Sequence, residues 1–293
     1  MLMEELHKPV LLSEVLKGLA PAEGESYLDL TAGYAGHAER ILDVTRNYKD
    51  ATLVDRDAYA IQYLRGKYES EPIEIIHQDF YNAVLQLLER GKTFDIILAD
   101  FGVSSPQLDQ ADRGFAFLKE GPLDMRMDKR QELDAERIVN TWSERKLAEI
   151  FIKFGEESSG LAKRAARRIV HGRPWTTTTE LAQGIAAGLP HRKMHPATKI
   201  FQAIRIAVND ELGEIEKTLP MLPRLLNPKG RVGLITFHSL EDRLVKQYFK
   251  LASDYGEESE LQIINKSPIT AEKSELVINP RARSAKLRIA IKR

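Results

Sequence analysis

The sequence predicts an α/β protein, an open and doubly wound parallel sheet interrupted by an all-helical insert. Three observations predict it. The first hundred residues alternate short apolar runs with helically spaced stretches. Residues 106–212 contain no convincing strand, and strand character then returns at 231–237. With 293 residues, 43% of them hydrophobic, the chain has room for about two domains at roughly 150 residues each.

Taken in order, the expected strands are Tyr27–Leu30, Ala51–Val54, Ile73–Ile76 and Phe94–Ala99. Between them His37–Thr45, Ala58–Lys67 and Tyr81–Arg90 carry helical spacing, the last closed by Gly91. The middle of the chain reads as helices over Ala135–Thr141, Glu144–Phe154, Leu161–Val170 and Glu180–Ala187. Thr177 and Glu180 have the spacing of a capping box. Arg231–Phe237 and Leu240–Lys250 resume strand and helix, and Lys286–Ile291 alternates basic and apolar residues as an edge strand does. Residues 251–280 are polar and acidic, with strand character only at Leu261–Ile264, and are expected to form a long, partly mobile connection. The expected domains are therefore 1–107 with 213–293, and an insert over 108–212.

The chain has no cysteine, which excludes disulfides, thiolate metal sites and a cysteine nucleophile. The N-terminal residues lack the basic start and apolar core of a signal peptide, and no run reaches the roughly 18 apolar residues of a membrane helix. A cytoplasmic location without membrane partners is expected. Net charge is zero but unevenly spread. Residues 1–100 hold 10 Lys/Arg against 18 Asp/Glu, whereas 161–208 hold 9 against the single acid Glu180. A basic block in a neutral chain suits an anionic partner or a solvated helix face. No His/Asp cluster has ligand spacing, so no metal is expected.

In open parallel sheets the ligand crevice lies at the carboxyl ends of the strands. Asp29, Asp55, Asp79 and Asp100 fall there. The first strand runs into Thr31-Ala32-Gly33-Tyr34-Ala35-Gly36-His37 and a helix, where backbone N–H groups meet a nucleotide-like cofactor. Asp55 ends the second strand, where a carboxylate accepts both hydroxyl hydrogens of a ribose. The loop is not the G-x-G-x-x-G of dinucleotide enzymes, so an adenosyl cofactor fits as well as a nicotinamide one.

The segments Asp100-Phe101-Gly102-Val103-Ser104-Ser105-Pro106-Gln107-Leu108-Asp109, Arg113-Gly114-Phe115 and Gly121-Pro122-Leu123-Asp124-Met125-Arg126-Met127 carry the more specific signal. With His195-Pro196-Ala197-Thr198, Phe237-His238-Ser239-Leu240-Glu241-Asp242-Arg243 and Asn279-Pro280-Arg281-Ala282-Arg283-Ser284, they resemble the RsmH (MraW) family of ribosomal RNA small-subunit methyltransferases over nearly the whole chain. The resemblance implies a class I, Rossmann-like methyltransferase sheet with a helical insert. It further implies S-adenosyl-L-methionine as cofactor, and N4-methylation of one cytidine in the decoding region of 16S rRNA in the small ribosomal subunit. By position it assigns cofactor contacts to Ala35, Gly36, His37, Asp55, Phe80, Asp100 and Gln107. The family pattern G-R-G-G-H stands here as Gly33-Tyr34-Ala35-Gly36-His37. If Ala35 takes positive φ, the strain is about 1–2 kcal/mol. A chain whose cofactor site was weakened by Tyr34 and Ala35 would be a non-catalytic RNA-binding or assembly protein.

Cytosine N4 is a poor nucleophile, and a hydrogen-bond acceptor on its N–H restores electron density. Asp100 is the first candidate for that catalytic role, with Phe101 as an aromatic neighbour able to stack on the base. His238, after the fifth strand, is the second. The alternative for His238 is a turn in which Ser239 caps the next helix and Asp242 completes the box. Lys163, Arg164, Arg167 and Arg168 fall on one helical face, with Arg126, Arg192, Lys193, Lys199 and Arg205 as further cations for RNA phosphates.

Overall fold

The computed structural model describes residues 9–190, 195–254 and 259–293. The chain divides into two compact units, 1–102 with 212–293, and 103–211.

The first unit holds α1 (Leu12–Leu19), β1 (Tyr27–Asp29), α2 (Gly36–Thr45), β2 (Ala51–Asp55), α3 (Ala58–Lys67), β3 (Glu74–His77), α4 (Phe80–Glu89) and β4 (Phe94–Asp100). The second holds α5 (Ser105–Asp109), α6 (Ala135–Thr141), α7 (Glu144–Lys153), α8 (Ser159–His171), α9 (Thr178–Ala186) and α10 (Ala197–Asn209). Next, α11 (Glu211–Thr218) leads back to α12 (Leu222–Leu225), β5 (Leu226–Thr236), α13 (Ser239–Ser253), β6 (Leu261–Ile263), α14 (Lys273–Ile278) and β7 (Lys286–Lys292).

The described strands form one sheet in the order β3-β2-β1-β4-β5-β7-β6. Strands β1 to β5 run parallel, and β7 is antiparallel to both its neighbours. Side chains alternate between the faces, as strand geometry requires. Ile96 and Leu98 of β4 pack with α1, α2 and α3, while Ile97 and Ala99 pack with α4, α11, α12 and α13. The expected Rossmann-like sheet interrupted by helices is therefore present. The order reverses between β1 and β4, which puts the crevice beyond their carboxyl ends.

Two expectations about the C-terminal part are corrected. Lys286–Lys292 is not an edge strand: β6 covers it, and its middle residues are buried on both faces. The basic alternation misled because Arg288, only 6% exposed, carries its charge inside. Its Nε donates to Asp242 Oδ1 at 2.7 Å, and Lys286 reaches Oδ2 of the same carboxylate at 3.0 Å. Within 251–280 the expected strand at Leu261–Ile264 is present as β6, and the rest of its described residues are more ordered than a long connection: α14 lies there, and Ile269 bridges to Leu287 of β7.

The second unit has its own apolar core, built from Leu147, Phe151, Ala162, Ala165, Ile169, Leu181, Ile200 and Ile204 among others. Thr177 and Glu180 form the expected capping box at α9. Helix α10 is not among the helices expected from the sequence; Ile200, Phe201, Ala203, Ile204, Ile206 and Val208 are buried along it. Asn209, at its end, accepts from Met127 N–H at 2.9 Å and donates to Met125 O at 2.8 Å, which fastens the 121–128 loop.

Replacing Asp242 by alanine leaves Arg288 buried without that carboxylate, a change that typically costs about 3–5 kcal/mol. Chemical denaturation of Asp242→Ala should show a destabilisation of this size. The double variant Asp242→Leu with Arg288→Met should recover most of it.

Candidate functional site

The carboxyl ends of β1, β2 and β4 each present an aspartate, and backbone N–H groups hold all three. Asp29, 2% exposed, accepts from Tyr27 Oη–H at 2.7 Å and Thr31 N–H at 3.1 Å. Burial pushes its carboxyl up to about 6. Asp55 accepts from Gly33 N–H and Asp57 N–H, both at 2.8 Å, and burial likewise raises it to about 6. The bond to Gly33 ties the end of β2 to the loop after β1. Asp57 in turn caps α3 by accepting from Tyr59 N–H.

That loop reaches α2 through two residues at positive φ, Gly33 at 52° and Ala35 at 62°. Ala35 thus takes the left-handed conformation that favours glycine. Its methyl is 0% exposed and packs among the residues under α2, so it fills core space rather than the crevice. Tyr34 lies against Tyr63, ring centroids 5.3 Å apart. A Cβ on Gly36 would meet the Pro9 ring at 3.2 Å, a tight contact. The His37 ring is turned inward: its Nε2 donates to Val10 O at 2.8 Å, and burial lowers its basicity. A cofactor contact from His37 therefore falls to its backbone N–H. With Gly36 it belongs to the first turn of α2, whose N–H groups have no partner inside the helix.

Asp100 is joined to the end of β1 by its own N–H, which donates to Thr31 Oγ1 at 2.6 Å. Its Oδ1 accepts from Gly102 N–H at 3.2 Å. Burial raises this carboxyl to about 7; the Gly102 bond opposes the shift and the Glu241 charge adds to it. Gly102 has no room for a side chain, since a Cβ would lie 2.5 Å from the Phe237 ring. The expectation that Phe101 stacks on a base is corrected: its ring is 8% exposed and packs against Phe80 with centroids 5.5 Å apart. Phe80 itself opens α4, whose first turn is capped by Asp79.

His238 is the N-cap of α13, in place of the expected Ser239, and Glu241 closes the box in place of Asp242. His238 Nδ1 accepts from Glu241 N–H at 3.4 Å, and Glu241 Oε2 accepts from Phe237 N–H at 2.7 Å and His238 N–H at 3.2 Å. Accepting at Nδ1 leaves the ring hydrogen of a neutral imidazole on Nε2. That atom lies 2.9 Å from Glu241 Oε1 but poorly aligned with it. Nδ1 of His238 is thus committed to its own helix start, while Nε2 is buried beside Glu241 without an aligned hydrogen bond. Glu241, 0% exposed, and Thr31 are the residues sequence reasoning missed. The His-x-x-Glu spacing was the available signal for Glu241, because histidine is not among the usual N-caps.

In the second unit, Gln107 closes the capping box of α5, its Oε1 accepting from Ser104 N–H at 2.9 Å. Lys163, Arg164, Arg167 and Arg168 are all exposed along α8, opposite the buried Leu161, Ala162, Ala165, Ala166 and Ile169. Other expected RNA cations already have partners: Arg167 lies 3.5 Å from Glu144, and Arg168 Nε donates to Gly184 O at 3.0 Å. Arg126 donates to Asp124 at 2.6 Å and to Gln131 O at 2.9 Å. Arg205, its side chain 16% exposed, is bidentate to Glu211 at 2.8 Å through both nitrogens. Lys199 donates to Glu156 O at 3.1 Å. Arg192 and Lys193 lie outside the described residues.

A protein of Synechocystis sp. named ribosomal RNA small subunit methyltransferase H is 46% identical over 297 residues, covering 98% of this chain and 93% of its own. The protein of the same name from Trichodesmium erythraeum is 45% identical, covering 98% of this chain and 99% of its own. Among solved structures, TrmN from Thermus thermophilus is 12% identical with a TM-score of 0.45, covering 97% of this chain and 48% of that one. The MraW methylase family matches residues 4–293, and the chain belongs to that family.

Proposed function

We propose that this chain transfers a methyl group from S-adenosyl-L-methionine to N4 of a cytidine in the decoding region of 16S rRNA. The observation that carries the reading is the match of nearly the whole chain, at 46% identity, to a small-subunit rRNA methyltransferase. The choice of cytidine N4 rests on the sequence motifs and on the chemistry available at Asp100. No helix among the described residues is long and apolar enough to cross a membrane, which agrees with work on the ribosome in the cytoplasm.

The residues at the crevice fit the donor. Asp55 keeps lone pairs beyond its two N–H bonds, as a ribose diol requires. The start of α2 offers the N–H groups of Gly36 and His37 to a carboxylate. Phe80, at the start of α4, is the cofactor contact that the family resemblance assigns there, though it is only 9% exposed and packed on Phe101. When bound, S-adenosyl-L-methionine supplies an electrophilic methyl on a sulfonium.

Transfer is an in-line displacement, so positioning supplies much of the rate. Asp100 is anchored for that task by its N–H on Thr31 and its Oδ1 on Gly102 N–H. Ionised, it accepts a hydrogen bond from the N4 amino group and so raises electron density on the nitrogen. It then takes the proton released as the new N–C bond forms and the old S–C bond breaks. A carboxyl raised to about 7 is well matched to that exchange near neutral pH. The exposed cations of α8 supply phosphate contacts that orient the RNA without reading its sequence. The methyl of Ala35 is buried, so it does not fill the crevice.

Incubation with radiolabelled donor and small ribosomal subunits lacking the modification should put label into N4-methylcytidine; label in another nucleoside would overturn the assignment. Asp55→Ala removes a charged acceptor and should weaken donor binding by at least about tenfold, read by calorimetry. Lys163→Glu with Arg164→Glu should weaken subunit binding and flatten its salt dependence, by about 0.7–0.9 log units for each phosphate left unneutralised.

The methylation rate should rise with pH through about 7, as Asp100 ionises. Asp100→Asn should lose about a hundredfold in kcat and the pH limb with it. Stability runs the other way. A carboxyl raised in the folded state keeps its proton longer there than in the unfolded chain, whose value is near 4. Its contribution is therefore fully present below about 4 and is lost as pH rises through 7. The Tm of the cofactor-free protein should fall over that window, less steeply in Asp100→Asn.

A further inference from the structure

The segment after the Arg113-Gly114-Phe115 motif is held at both ends. The Phe117 ring makes an edge contact with Phe201 of α10, centroids 4.9 Å apart, and lies 4.8 Å from the His195 ring at 34°. Beyond it, Thr178 Oγ1 donates to Lys119 O at 3.2 Å and accepts from Gly121 N–H at 3.1 Å, while Thr178 N–H donates to Gly121 O at 2.9 Å. Gly121 is pressed against the chain, since a Cβ there would lie 1.8 Å from Ala111 O. Between these anchors Leu118 is 90% exposed. A lone exposed leucine is ordinary. One fixed between two anchors and next to a stacked aromatic pair is not.

His195 is exposed although Phe117 covers one face of its ring, so the open area is the other face and the edge. Its Nδ1 accepts from Ala197 N–H at 3.2 Å, which puts the hydrogen of the neutral ring on Nε2. In the same unit Lys163 and Arg164 stand exposed on α8, and Glu180 is the single acid of 161–208, which draws an anionic partner rather than a basic or neutral protein surface.

We propose that His195 and Leu118 form a base-contacting patch. The open face of His195 stacks on an unstacked nucleotide of the substrate RNA, with Phe117 as backing, and Leu118 packs against the displaced base. Every base has a face to stack, so the patch adds affinity and orientation with little sequence preference. The proposal rests on the rRNA reading above and names two residues that reading does not use.

The test measures binding of the full-length protein to small ribosomal subunits and to protein-free 16S RNA. His195→Ala and Leu118→Ala should each raise Kd for both by about five- to a hundredfold. His195→Tyr, which keeps a ring on Phe117, should bind as the parent does. Affinity for S-adenosylhomocysteine should not move in any of the three, and Tm should fall only by the few degrees that losing the His195–Ala197 hydrogen bond costs in the two His195 variants. Unchanged Kd in both alanine variants overturns the proposal. So does weakening seen with subunits but not with protein-free RNA, which would mark a protein contact. If the parent binds RNA but transfers no methyl group, the methylation reading fails and the binding comparison still judges the patch. A parent that binds neither probe overturns both.

Discussion

Three carboxyl groups, Asp29, Asp55 and Asp100, are held at one edge of the sheet where burial raises all of them to about 6 or 7. Burying a charge without partners costs several kcal/mol, so such a cluster persists only where donors are fixed in advance. Here the donors are the N–H groups of Thr31, Gly33, Asp57 and Gly102. Each belongs to a turn that leaves a strand end, so loop conformation and carboxylate position determine one another. The Thr31 hydroxyl, accepting from Asp100 N–H, joins the β1 and β4 ends across the point where strand order reverses. Most of what the crevice presents to a ligand is a consequence of this one network.

Ala35 shows how the loop tolerates a side chain. The left-handed conformation costs an alanine about 1–2 kcal/mol relative to its preferred regions. Burying its methyl returns about 0.8 kcal/mol, and alanine loses less backbone entropy on folding than glycine. These effects are of similar size and opposite sign, so alanine and glycine are nearly equivalent there. The loop's path is set by the N–H of Gly33 on Asp55, a bond that either residue at 35 leaves intact.

The sheet was legible in the sequence because its strands are short apolar runs that end in acids, and because Gly91 and the Thr177–Glu180 pair mark helix ends in the usual way. The parts that were not legible share a cause: a polar residue doing an apolar residue's work, or the reverse. Arg288 is inside because Asp242 neutralises it, so β7 looked like an edge. A histidine caps α13, so the box was assigned one residue late. At the site, the strand-end acids and the cofactor loop could be placed from spacing, whereas Thr31 acts through a hydrogen bond to a segment far away in sequence, and Glu241 through a cap that an unusual residue begins.

The same distinction separates the cations. A count of arginines and lysines between 161 and 208 treats them as one basic block, yet a guanidinium has only as much attraction for phosphate as its internal partners leave. Arg205 forms a two-point bond with Glu211, and Arg126 is spent on Asp124 and a backbone carbonyl. Both hold the insert together, and both would have to break a short ion pair to reach an RNA. On α8 the cations stand on the face away from five buried apolar residues, at helical spacing set by that burial. The packing of one side therefore orders the charges of the other, and even there Arg167 shares its charge with Glu144 and Arg168 donates to Gly184 O.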